Sequence, residues 1–150
     1  MIKVVNRLDG GQVSDDSVVG NPCIELGVSF SKPNLGDDSK FRCDEPFTYT
    51  WGLLDTGADL TLVSEHLIPP NAVVYEKRIN HTPSGTTEVP VFIVTFHIRE
   101  ADHYYTAPCM SMSHREGRAY DLLLGRIFLK NTRFIYDRHN GISEIEWVQG

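Results

Sequence analysis

The stretch Gly52-Leu53-Leu54-Asp55-Thr56-Gly57-Ala58-Asp59-Leu60-Thr61-Leu62-Val63 decides how the rest of the chain is read. An apolar run ends in a carboxylate, and a hydroxyl and a glycine follow at once. That order describes a tight turn at a strand end, in which the backbone folds beneath Asp55 and lifts its carboxylate clear of the strand. An ordinary turn between two strands has the same local grammar, so the weight of Asp55-Thr56-Gly57 comes from its surroundings.

Two such turns facing each other across a two-fold axis bring two carboxylates within hydrogen-bonding reach, where like-charge repulsion prevents both from ionising. The ionised member can then act as base toward a bound water while the protonated member stabilises the diol that forms at an attacked peptide carbonyl. This chemistry needs neither a metal nor a covalent intermediate, and no cofactor is expected. No other Asp in the chain is followed by Thr or Ser and then Gly, so a dyad of this kind would take its second carboxylate from a second copy.

Outward from the turn, the dominant period is two. Ile24, Leu26, Val28 and Phe30 alternate with Cys23, Glu25, Gly27 and Ser29, which predicts a half-buried strand across Asn21 to Phe30. Val89 to Arg99 repeats the pattern, with Phe92, Val94, Phe96 and Ile98 on one side. Asn140-Gly141, between Phe134-Ile135-Tyr136 and Ile142 to Val148, predicts a hairpin closed by a type I′ turn. Short helices or helical turns are expected only at Leu60 to Ile68, stopped by Pro69-Pro70, and at Arg126 to Asn131. Ser31 to Pro46 (SKPNLGDDSKFRCDEP) is too polar for a core and predicts a long loop, either a mobile connection or a contact for substrate or partner. The class is therefore mostly β, in one domain over residues 1–150.

Composition narrows the partners. Fourteen Lys plus Arg against twenty Asp plus Glu give a net charge of -6, the wrong sign for a surface that grips phosphates, so no nucleic acid is expected. The apolar runs fall far short of the ~20 residues of a membrane span, and Met1 to Asp9 has no signal-peptide pattern, so no membrane is expected either. Cys23, Cys43 and Cys109 are odd in number and lack CxxC spacing, which suits a reducing compartment and makes the cytoplasm the default. His103, Cys109 and His114 match no common zinc spacing, and His66, His81, His97 and His139 are expected at the surface or rim. No metal site is predicted.

With these residues in view, the chain resembles the retropepsin-like, or retroviral-type, aspartic proteases. Leu53-Leu54 before the triplet and Ala58-Asp59 after it follow the family's apolar-apolar-Asp-Thr-Gly-Ala pattern, and Thr61-Leu62-Val63 continues it. Leu122-Leu123-Leu124-Gly125-Arg126, leading into Ile127-Phe128-Leu129, is similar to the family's second signature. The likeness runs from about Asn21 to Trp147, and the hairpin Phe134 to Val148 is closer to cellular and bacterial members than to a minimal viral enzyme.

The resemblance implies an all-β acid-protease fold: a closed β-barrel with one short helix after the Gly-Arg motif, forming half of a two-fold homodimer. It implies an aspartic endopeptidase acting on extended peptides or proteins, with Asp55 as the catalytic residue of each chain. Thr56 would lock the facing turns together beside Gly57, and Asp59 would pair with Arg126, next to Gly125, to brace the turn. Ala58 and Asp59 would also touch substrate, as would Ser84 and Gly85 at the tip of a flap spanning His81 to Thr87. The alternative on the same fold is a catalytically silent module that dimerises or binds peptides.

Overall fold

The computed structural model describes residues 1–15, 19–30, 33–35, 41–43, 46–137 and 139–148. In chain order the strands are β1 (Ile2–Lys3), β2 (Val5–Arg7), β3 (Asn21–Ser29), β4 (Pro33–Leu35), β5 (Phe41–Cys43), β6 (Thr48–Leu54) and β7 (Thr61–Ser64). They continue with β8 (Val74–Thr82), β9 (Gly85–Ile98), β10 (His103–Met112), β11 (Leu122–Leu124), β12 (Thr132–Asp137) and β13 (Ile142–Trp147). A single four-residue helix, α1 (Arg126–Leu129), lies between β11 and β12.

Alternation along β3 and β9 becomes burial. Ile24, Leu26, Val28, Phe92, Val94, Phe96 and Ile98 all enter one core, the most exposed of them at 9%. Two strands cannot enclose that surface, and the ladders run in a circuit instead. β3 pairs with β6, β6 with β11, β11 with β7, β7 with β10, β10 with β9, and β9 returns to the last residues of β3. The circuit encloses Leu54, Val63, Leu122, Leu124 and Phe128 with the β3 and β9 side chains. A second sheet, β1-β13-β12, adds Ile2 and Ile145 to the same core.

Three local expectations change. Leu60 to Ile68 does not start as a helix: Thr61–Ser64 is a strand, because Thr61 and Val63 point into the core on a period of two, and only Glu65–Leu67 makes a helical turn. Within Ser31 to Pro46, β4 and β5 pair antiparallel, so the stretch is not wholly loop; its remaining part lies largely outside the described residues. The Asn140-Gly141 hairpin forms, but Asp137 pairs with Ile142, so the connection spans residues 138–141. Gly141 takes a positive φ of 66° and Asn140 does not, and the Asp137 carboxylate accepts from the backbone and side-chain N–H groups of Asn140. That capping, which lowers the Asp137 pKa, replaces the two-residue type I′ turn.

His97 also departs from expectation. Its side chain is only 12% exposed, stacked on Tyr104 and hydrogen-bonded to the Tyr49 hydroxyl at 2.6 Å. No helix among the described residues is long and apolar enough to cross a membrane.

Phe128 closes the core beneath α1, with its ring centroid 5.5 Å from Tyr105, 5.7 Å from Trp147 and 6.3 Å from Phe96. Phe128→Ala is expected to lower unfolding free energy in urea by about 3–5 kcal/mol, against about 0.5 kcal/mol for Phe134→Ala on the exposed face of β12. Cys23 and Cys109 are buried free thiols. Burial pushes Cys23 from 9.0 up to about 12 and raises Cys109 as well. Their neutral forms favour the native state fully below the unfolded thiol pKa, so stability should fall as pH rises from 9.0 toward about 12. At pH 8, iodoacetamide should leave both unmodified until the chain is unfolded, as mass spectrometry would read.

Candidate active site

β6 delivers Asp55 to a fixed place because β11 lies beside it in parallel register, with Leu124 opposite Leu54. The Asp55 N–H donates to Leu124 O at 3.0 Å, carrying the pairing one residue past the ladder. The chain then turns. Gly57 N–H donates to Asp55 Oδ1 at 2.9 Å and Ala58 N–H donates to Asp55 O at 3.4 Å, so the carboxylate is oriented by the backbone that follows it. Among the described residues nothing bonds Oδ2, which leaves one carboxylate oxygen available.

Gly57 makes a close approach without taking a left-handed conformation. It is absent from the positive-φ glycines, and a Cβ placed on it would stand 3.2 Å from Asp55 Oδ1. Gly125 is more tightly confined: a Cβ there would lie 2.7 Å from the Leu60 carbonyl carbon and 2.9 Å from Ala58 O. Through that contact the two signatures of the sequence meet. Arg126 N–H donates to Ala58 O at 2.8 Å and Ile127 N–H to Asp59 O at 3.1 Å, so the open amides at the start of α1 are satisfied by the carbonyls of the turn.

Arg126 and Asp59 form the expected ion pair. Both side chains are open to water, at 62% and 79% exposure, so the pair is screened and braces the turn far less than the two backbone hydrogen bonds beside it. Thr56 and Gly57 are exposed at the apex, and the Thr56 hydroxyl has no partner among the described residues.

A groove beside the turn is lined by Ala58, Asp59, Leu60, Leu62, Arg78 and Met110. Ala58 and Asp59 were expected there. Arg78 and Met110 were not, since each belongs to a strand without a motif and reaches the groove only because β8 and β10 converge on the turn, where they meet Leu60 and Leu62 of the Asp55 stretch. Ser84 and Gly85 do not line it. They sit at the far tip of the β8–β9 hairpin, where Thr82 pairs with Gly85, and Thr82 Oγ1 donates to Gly85 O at 3.0 Å. Every residue of β8 is exposed, including Tyr75 and Ile79, so this hairpin stands off the body as an arm.

Comparison with known proteins identifies the family. The family model described as retroviral aspartyl protease matches residues 20–134, and the chain belongs to that family. Among solved structures, the solution structure of simian foamy virus (mac) protease is similar at 20% identity and a TM-score of 0.45, covering 55% of this chain and 82% of that one. EIAV protease complexed with the inhibitor HBY-793 is similar at 15% identity and a TM-score of 0.45, covering 76% of this chain and 89% of that one. A foamy viral protease-reverse transcriptase in complex with an RNA/DNA hybrid matches at 15% identity and a TM-score of 0.42, over 71% of this chain and 11% of that chain. No curated protein sequence matches the chain. The fold is all-β and retropepsin-like.

The contrast between Gly125 and Arg126 is testable by thermal and urea unfolding. Gly125→Ala forces a methyl group into the Leu60 carbonyl and should cost about 1–3 kcal/mol, whereas Arg126→Ala should cost less than about 1 kcal/mol.

Proposed function

We propose that the chain is an aspartic endopeptidase whose active site is completed by a second copy of itself. The carrying observation is the Asp55 turn: one oxygen held by Gly57 N–H, the other unbonded, at an exposed apex beside a groove. Membership of the retroviral aspartyl protease family supports the same reading. Asp55 and Asp55 of the partner subunit would share one proton, since two charges at hydrogen-bonding distance cannot both persist.

The ionised carboxylate takes a proton from water as its oxygen bonds to the peptide carbonyl carbon, and the protonated one gives its proton to the carbonyl oxygen. Collapse of the resulting diol breaks the C–N bond, with a proton passing to the leaving amine and the dyad returning to its single-proton state. Thr56, exposed and with its hydroxyl unpartnered among the described residues, is suited to hold the two turns in register. Leu60, Leu62 and Met110 give the groove apolar walls, which favours an extended peptide with apolar side chains beside the scissile bond. Ser84 and Gly85, at the tip of an exposed arm, would reach substrate only by closure of that hairpin. One domain spanning residues 1–150 carries this whole arrangement.

Digestion of a peptide library, read by mass spectrometry, tests the reading. Cleavage should follow a bell-shaped pH profile with a mildly acidic optimum, resist chelators, yield to a statine-type inhibitor and disappear in Asp55→Asn. Equal mixing with Asp55→Asn chains, after subunit exchange, should cut activity per wild-type chain by about half. Activity strictly proportional to wild-type chain in that mixture would mean each chain works alone. A dimer that binds peptides and leaves them whole would establish the silent module instead.

A further inference from the structure

Away from Asp55, the other end of β7 and β11 gathers His66, His114 and Asp121. Their candidate ligand atoms all lie within 4.8 Å of one another. We infer that these three side chains form a binding site for a divalent transition-metal ion of the zinc class. Two imidazoles and one carboxylate suit zinc, cobalt or nickel over calcium or magnesium, and a three-ligand set leaves a fourth position for water.

The surroundings are those a metal site requires. His66 Nδ1 lies 2.9 Å from Ser64 Oγ, which fixes the ring and turns Nε2 toward Asp121 Oδ1, 3.7 Å away. Thr50 Oγ1 donates to Asp121 Oδ2 at 3.0 Å, so the hydroxyl holds one carboxylate oxygen and leaves Oδ1 facing the histidine. The His66 and His114 ring centroids are 4.0 Å apart, and Ser64 Oγ is 3.5 Å from His114 Nδ1. His114 N–H donates to Glu65 Oε1 at 3.3 Å, which ties the loop after β10 to the turn after β7.

The frame beneath is stiff. Ser64 is fully buried, its N–H donates to Asp121 O at 2.8 Å, and Asp121 N–H donates to Trp51 O at 3.0 Å. Tetrahedral zinc ligands stand about 3.4 Å apart, so small rotations of the two exposed histidines close the set. Arg118 borders the cluster, with Nη2 3.5 Å from Ser64 Oγ, and its positive charge sets an expectation of micromolar rather than nanomolar affinity. Asp121 stands level with Trp51 in the β6–β11 register, so it lies ~13 Å along the strand from Asp55, and the ion would clamp the strands that carry the turn without entering it.

Isothermal titration calorimetry of the full chain with zinc chloride should give one site per chain. The melting temperature should rise with zinc, fall back with EDTA, and stay unmoved by magnesium. His66→Gln, His114→Gln and Asp121→Asn should each weaken binding at least about tenfold, and the exposed histidine pair can be replaced together with little effect on folding. Cobalt titration should give the intense visible bands of a four-coordinate ion, lost in the double histidine variant. Absence of binding heat in the wild-type chain, or equal zinc affinity in the double variant, would overturn the site.

Discussion

The placement of β11 between β6 and β7 is the constraint on which the remaining structure depends. It is a strand of three residues, parallel to one neighbour and antiparallel to the other, and its Leu122 and Leu124 are wholly removed from water. Burial of each contributes about 1.5–3 kcal/mol, which is what fixes so short a segment against the entropy of ordering it. A parallel pair cannot be closed by a tight turn. β7 through β10 therefore form the connection between β6 and β11, and half of the strands of the circuit, β7, β9 and β10, lie within that crossover.

Once β11 is in place, the site follows from backbone groups more than from charges. The Asp55 N–H, the Ala58 and Asp59 carbonyls, and the first amides of α1 all find partners across the seam between the two signatures. Gly125 permits that seam by having no side chain, and Gly57 permits the carboxylate to fold back on its own turn. The ion pair of Asp59 and Arg126 decorates the same junction from outside, where water screens it. The same strands end, at their other extremity, in the Ser64–Asp121 backbone contact that supports the histidine cluster. One stiff ladder thus presents a carboxylate at one end and a set of metal-ligating side chains at the other.

The strands β3 and β9, the core side chains they carry and the Asp55 turn were legible because each is encoded by neighbours in sequence. Alternation in Asn21–Ser29 and in the second half of Gly85–Ile98 sets which side chains can be buried, whatever packs on them. The order Asp-Thr-Gly sets the hydrogen bond from Gly57 to Asp55 within three residues. Local reading failed where two local patterns competed. Leu60 to Ile68 can be written as a helix or as a strand followed by a helical turn, and the pairing of Thr61–Ser64 with Cys109–Met112 on one side and of Leu62 and Val63 with Leu123 and Leu122 on the other decides for the strand. At Asn140-Gly141 the competing cap came from Asp137, whose carboxylate claims Asn140 and lengthens the connection.

By itself, then, the sequence determined an all-β chain, a carboxylate on a tight turn and a single copy of that turn, because these are properties of short segments and of a count. Tertiary structure alone decided that Arg78 and Met110 join Ala58 and Asp59 along one groove, and that Ser84 and Gly85 stand apart from it. It alone decided that His66, His114 and Asp121, which no spacing rule connects, share one corner. The physical reason is the same in each case. Side chains far apart in sequence meet only where sheet register brings their strands level, and register is set by burial of the whole barrel rather than by any one segment.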